Sequence, residues 1–326
     1  MTNIKDFRLN PDQLRFFGQN LHRPESIIAT KDGTLWVSDR QAAVTRIDAD
    51  GTQTAIGHMG AEPNGLAMDR HRDKHRRGNL YVANIGDGKF YKLYPDGTEE
   101  VLLSEFEGKP LGSPNFVFID RRDRLWLSVS TRTLPWVAAA INPRPDGYIL
   151  LMDENGVRMV ADGIYFTNEI RLDANEEYLY VAETMKSRIL RFPVNPDGSL
   201  GSREVFGPDP LDYGAWVDGF TFDIEGNLWI TTPLRNGLGI LTPDGDYHVV
   251  FEEVKPDALK NAVTNLEANQ LKPEDIFACA GENWPFPTSV TFAGSDLKTV
   301  YVGSLIMPHL ITFESPIPGL PMRHWH

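Results

Sequence analysis

Cysteine is nearly absent: Cys279 is the only one in 326 residues. A lone thiol excludes an intramolecular disulfide and any paired-cysteine zinc or redox motif, and it suits a reducing, cytoplasmic setting. With no helix or histidine context, Cys279 reads as a small buried residue rather than a nucleophile. Long apolar runs are missing too. The longest are strand-length, so none is a candidate membrane span. The opening MTNIKDFRLNPDQ lacks the apolar stretch of a secretory leader. Positive charge is scarce, with 32 Lys and Arg against 45 Asp and Glu and a net charge of −13. That balance argues against nucleic acid as a partner, because phosphate contacts need clustered cations. The one basic run, RHRDKHRR from Arg70, falls in a predicted turn and reads as solvated. No Gly/Ser linker interrupts the chain, so residues 1–326 are read as one domain with a rim insertion at about 254–284.

What is abundant is repetition. A short apolar strand, a Gly/Asp turn and a strand opening on Leu/Val–Trp/Tyr recur six times: SIIATKDGTLWVSD from Ser26, GLAMDRHRDKHRRGNLYVAN from Gly65, FVFIDRRDRLWLSV from Phe116, EIRLDANEEYLYVAE from Glu169, GFTFDIEGNLWITT from Gly219 and SVTFAGSDLKTVYVGS from Ser289. A repeat of roughly 40–50 residues built only of strands predicts a propeller blade. Asp-Gly turns such as those in VTRIDADG and KFYKLYPDG continue each copy into third and fourth strands. The expected fold is therefore all-β, a six-bladed β-propeller with four antiparallel strands per blade. The N-terminal LRFFG is expected to add the outer strand of the last blade and close the ring. Two stretches break the pattern. One is a long loop in blade 3, STRTLPWVAAAINPRPDG; the other is the segment between blades 5 and 6, whose first half has helical composition.

Inner strands of a propeller begin near one axis, so the residues just before each repeat converge. They are Glu25, Asn64, Asn115, Asn168, Asp218 and Thr288: two carboxylates, three carboxamides and one hydroxyl. An apolar repeat has no packing reason to be polar at every copy. Oxygen donors in this number suit a hard divalent cation, calcium above all, with manganese or magnesium as alternatives. Zinc is less suited because no His/Cys cluster accompanies them. The competing reading is that these side chains only bond backbone at loop-to-strand turns.

At these residues the chain resembles the senescence-marker-protein/gluconolactonase/LRE-like family of six-bladed propellers. It is more distantly similar to diisopropyl fluorophosphatase, the paraoxonases and strictosidine synthase-like proteins. FTNEIRLDANEEYLYVAET carries the strongest resemblance, followed by VDGFTFDIEGNLWIT and PTSVTFAGSDLKTVYVGS. The resemblance implies one divalent cation at the channel mouth held by Glu25, Asn168 and Asp218, with Asn115 lining the same site. It also implies hydrolysis of a lactone, a small-molecule ester, with no nucleic-acid or membrane partner. Three departures bear on the substrate. The family's EGP is ESI here, its NDG is NFV, placing Phe116 where an acid is usual, and Ser113 stands where sugar-lactone members often carry Arg. The cation pattern survives while part of the sugar-contacting pattern does not.

Asp218 is the expected base or nucleophile, with Asn115 beside it and His309 as a second candidate for acid/base work. Phe116, Trp136, Phe166 and Trp216, with Tyr165 and Met185, are expected to form an apolar rim. Arg132 and Arg188 are candidate anchors for a substrate carboxylate, and Asn64 and Thr288 complete the ring as substrate contacts. Two other activities stay open: an organophosphate or arylester hydrolase at the same site, and a non-catalytic ligand-binding or scaffold propeller.

Overall fold

The computed structural model describes residues 4–72 and 78–325. Most of the basic run from Arg70 lies outside the described residues. Six four-stranded antiparallel sheets form the blades of a propeller. Blade 1 runs through Ile27–Ala29, Leu35–Ser38, Val44–Ile47 and Gln53–Ile56, and the next four blades repeat this order along the chain. In the sixth, Pro287–Ala293, Thr299–Ser304 and Leu310–Glu314 are completed by the N-terminal strand Arg15–Phe17, with Arg15 opposite Thr312 and Phe17 opposite Leu310. The expected ring closure is thus met, and it pairs an edge that would otherwise lie open.

The recurring turn has a physical reason. In blade 3, Asp120 Oδ1 accepts the amides of Arg122 and Arg124, while Oδ2 accepts the indole N–H of Trp126 at 3.0 Å. In blade 5, Asp223 does the same for Glu225, Asn227 and, at 3.1 Å, Trp229. One carboxylate therefore closes the turn and satisfies an otherwise buried indole. Between blades 5 and 6, Trp229 packs edge-on to Phe292 and stacks with Phe313, so each repeat also supplies the contact to its neighbour.

Among the described residues three α-helices stand outside the blades: α1 (Val137–Ile141) in the blade 3 loop, and α2 (Pro256–Glu267) and α3 (Pro273–Phe277) in the insertion. The helix expected in that insertion is α2, which starts on Pro256 with Asp257 in its first turn. The shorter α3 was not foreseen; Asp275 ties it back to α2 by accepting from Asn261 and Asn265. Cys279 is buried beside α3, and its thiol is pushed up to about 11, first by burial, which fits the inert reading. No helix among the described residues is long and apolar enough to cross a membrane.

Candidate functional site

The inner strands are irregular where they begin. Register shifts fall between Pro63 and Leu66, Pro114 and Phe116, Thr167 and Ile170, and Pro287 and Val290. A bulge re-aims the side chain it carries, and these four fall on Asn64, Asn115, Asn168 and Thr288. In blades 2 and 5 the next residue is a glycine that meets the neighbouring blade closely. A Cβ at Gly65 would collide with the backbone of Phe116, and one at Gly219 with the Glu169 carboxylate and the Ser289 backbone. Glycine is required there by the narrowness of the channel.

A second repeated feature lies two residues upstream. Arg23, Phe166, Trp216 and Phe286 all have positive φ, at 58°, 64°, 49° and 47°. Such values are rare for side chains this large. Repeated at the same step of four blades, they turn the side chains of these residues over the channel mouth. The entry loops of the other two blades carry their left-handed residue one place earlier, at Ala61 and Gly112.

Together these loops enclose a cavity of about 330 Å³. Its floor is polar: Glu25, Asn115, Asn168, Thr184 and Asp218, with Arg23 and Glu62 beside them. Its walls are apolar, including Trp136, Phe166, Trp216, Phe286, Ile276 and Phe277. Of the expected residues, the cavity gathers Glu25, Asn115, Asn168, Asp218, Trp136, Phe166, Met185 and Trp216. Asn64 stands behind the floor, bonded to Arg23 and Asn115. Thr288 donates to the backbone carbonyl of Glu25 at 2.8 Å, a link between blades.

Several candidates are placed elsewhere. His309 packs against Phe16 of the outer N-terminal strand, the rings tilted with centroids 4.4 Å apart, and is not among the residues lining the cavity. Arg132 lies over the Tyr148 ring at 4.3 Å. Arg188 is held by Glu183 at 2.6 Å and Asp209 at 2.7 Å. Phe116 is buried in the apolar core of blades 3 and 4 and does not line the cavity; the Arg171 guanidinium lies 5.2 Å from its ring centre. Tyr165 is covered by Lys186 at 4.3 Å.

Sequence reasoning missed Arg23 and Glu62. Arg23 donates to Asn64 Oδ1 at 2.7 Å, and its Nη2 lies 3.0 Å from Glu25 Oε2. Glu62 accepts from Trp136 Nε1 at 2.6 Å, which pins that indole to the rim. The available signal was the position two before each ring residue, which reads Arg23, Glu62, Ser113, Phe166, Trp216 and Phe286. Ser113 is not a wall residue; its hydroxyl donates to the Thr133 carbonyl. An arginine does stand at this level, supplied by blade 1 rather than blade 3.

The floor is electrostatically loaded. Burial, followed by the Glu25 and Glu169 charges, pushes the Asp218 carboxyl well above its ordinary range, and Arg23 and the Asn168 amide offset only part of this. Glu25 is also raised, by burial first and then by Glu62, against the opposing effect of Arg23. Glu25 Oε2 is buried and accepts no hydrogen bond despite its nearness to Arg23. Asn168 Nδ2 donates to Thr184 Oγ1 at 3.1 Å, and Thr184 donates on to the Val217 carbonyl, leaving Asn168 Oδ1 as the free acceptor. Like-charged buried carboxylates, an orphaned carboxylate oxygen and a free amide oxygen are a donor set suited to a hard cation. Among the described residues no group of three His, Cys, Asp or Glu is placed to hold a metal ion, so a cation at the floor would draw on carboxamide oxygens as well.

A six-bladed propeller with an oxygen-lined pocket at one end of its channel is the class that fold and site define. The sequence pattern of the SMP-30/Gluconolactonase/LRE-like region matches residues 23–254, and the chain belongs to that family. It is 24% identical to human serum paraoxonase/arylesterase 1 over 331 residues, covering 94% of this chain and 83% of that protein. It is 24% identical to a 6-deoxy-6-sulfogluconolactonase of Pseudomonas putida over 172 residues, covering 52% of this chain and 49% of the relative. The chain spans about half the length of three of the curated relatives it matches. In structure it is similar to the calcium-binding protein regucalcin of Agrobacterium tumefaciens, with a TM-score of 0.69 at 16% identity over 95% of this chain and 98% of that one.

Proposed function

We propose that the chain is a divalent-cation-dependent hydrolase that opens a lactone ring. The observation that carries this reading is the convergence of Glu25, Asn115, Asn168 and Asp218 on one cavity floor, with a buried Glu25 oxygen left without a hydrogen bond. Membership of a family that includes gluconolactonases supports it, as does the relative named a sulfogluconolactonase. Glu25, Asn168 and Asp218 would hold the cation, with Asn115 beside them; calcium fits the donors best. When bound, a cation here supplies Lewis-acid polarisation of a carbonyl and charge for the oxyanion that develops on it.

The chain's own residues account for the rest. Asp218 takes a proton from water as the water oxygen bonds to the carbonyl carbon. The ring C–O bond then breaks, and Asp218 returns the proton to the departing alkoxide, giving a hydroxy acid. Direct attack by Asp218 on the carbonyl is the nucleophilic variant of the same step. Thr184 fixes the Asn168 amide, Asn64 supports Asn115, and Glu62 fixes Trp136, so the pocket is set before substrate arrives.

The walls bear on the substrate. Aromatic and aliphatic side chains leave few partners for sugar hydroxyls, and an unpartnered buried hydroxyl is penalised. A substrate less polar than a sugar lactone is expected, though Phe116 now contributes nothing to that wall and Phe286, Ile276 and Phe277 do. The test compares kcat/KM for glucono- and xylonolactone with that for alkyl and aryl lactones on cation-loaded protein, using a pH indicator. Higher values for the alkyl or aryl compounds are expected; a clear preference for sugar lactones would refute the apolar-pocket argument. Aryl esters belong in the same panel, since the match to the serum paraoxonase/arylesterase runs over nearly the whole chain.

A further inference from the structure

The other end of the channel carries a second cavity. Inner strands rise about 3.3 Å per residue, so Leu172, four residues after Asn168, lies about 13 Å deeper. Leu172, Ile119 and Phe222, all near the ends of inner strands, line a space of about 210 Å³ together with the C-terminal residues Leu320–Arg323. The upper pocket does not reach it. The two cavities share no lining residue, and the Arg171 that lines the lower one is paired with buried Glu169.

The charge of this lower cavity is opposite to that of the chain. Four arginines line it, Arg70, Arg121, Arg171 and Arg323, against Asp173 and Glu176, in a protein of net charge −13. Both acids have other duties. Asp173 Oδ1 accepts the Glu177 amide at 2.8 Å, and Glu176 Oε1 accepts the Arg121 amide at 2.7 Å. Arg121 is matched, its Nη2 donating to the Ala174 carbonyl and its Nε 4.0 Å from Glu176, but the two buried arginines are less well so. Arg171 gives Nε to the Phe220 carbonyl and Nη2 to Glu169, but Nη1 meets only the thioether of Met322 at 3.3 Å, a weak acceptor. Arg323 binds exposed Asp123 through Nε and Nη2. Its side chain is only 9% exposed, and its Nη1 is buried with no partner at all. Buried guanidinium donors are seldom left unmatched without reason.

We propose that this cavity is a binding site for a small organic oxyanion, a phosphate ester or dicarboxylate, held by Arg171 and Arg323 at its buried end and by Arg70 and Arg121 at its mouth. Guanidinium groups match such anions in geometry as well as charge. The basic run that begins at Arg70 thereby acquires one function-bearing member. The site is separate from the lactone-opening floor and does not depend on that reading.

Titration calorimetry of the full chain with orthophosphate in one arm and malonate in the other tests the proposal, at constant ionic strength set by chloride. Saturable binding of one or both is expected, and which arm binds tells phosphate from carboxylate. The double variant Arg121→Gln/Arg323→Gln is expected to weaken it by at least about tenfold, as the loss of two charge-assisted partners should. Asp218→Asn, at a side chain that lines the upper cavity and not the lower one, is expected to leave it unchanged. Arg70→Gln, at an exposed position, repeats the comparison where folding is not at issue. Absence of saturable binding to the wild-type chain, equal binding by the arginine variants, or loss of binding in Asp218→Asn would overturn the proposal.

Discussion

Asp218→Asn is expected to lower turnover on any lactone the protein opens by at least about 100-fold, the usual worth of general-base catalysis. The substitution keeps the volume and removes the charge and the basic oxygen. Asp218 is buried and raised by Glu25 and Glu169, so its neutral replacement relieves repulsion and the fold should survive. Circular dichroism and steady-state rates on the same preparation check both halves. If Asp218→Asn kept most of its activity with cation still bound, another group would be the base.

Arg23→Gln is expected to tighten calcium binding by about tenfold. The guanidinium lies 3.0 Å from Glu25 Oε2, the orphaned oxygen assigned to the cation. A positive charge held against a carboxylate that would ligate a divalent cation opposes that cation, by on the order of 1–2 kcal/mol after solvent screening. Removing that charge also frees Glu25 from a competing partner. Calorimetric titration of the wild type and the variant measures the difference directly. Weaker binding in Arg23→Gln would mean that the guanidinium organises Glu25 through the Asn64 bond rather than competing for it.

Much of the architecture was legible because one aspartate per turn does the same work in several blades. Asp120 and Asp223 write the same sentence into blades 3 and 5, and the eye can find it without a structure. The polar ring was legible for the same reason: Glu25, Asn115, Asn168 and Asp218 hold equivalent places before the inner strands. Arg23 and Glu62 were not, because their reach into the cavity depends on left-handed backbone at Arg23 and Ala61. No residue type announces that conformation when it is not glycine. The charged loop residues misled for a related reason. Arg188 opens the strand Arg188–Pro193 rather than lying on a loop and spends its guanidinium on Glu183 and Asp209, and His309 is claimed by Phe16 across the ring closure. Such long-range partners have no local signature. Glu169 and Arg171 form an ion pair inside the channel, which an alternating strand pattern cannot distinguish from a solvated face.

The central claim is that lactone opening depends on a cation held by the ring. The measurement is hydrolysis of one responsive lactone by chelator-stripped protein, before and after calcium or manganese is returned. Stripping is expected to remove the activity and a stoichiometric divalent cation to restore it, with Glu25→Gln and Asp218→Asn failing to recover. Full activity in the stripped protein, or a cation-loaded protein that opens no lactone, would contradict it.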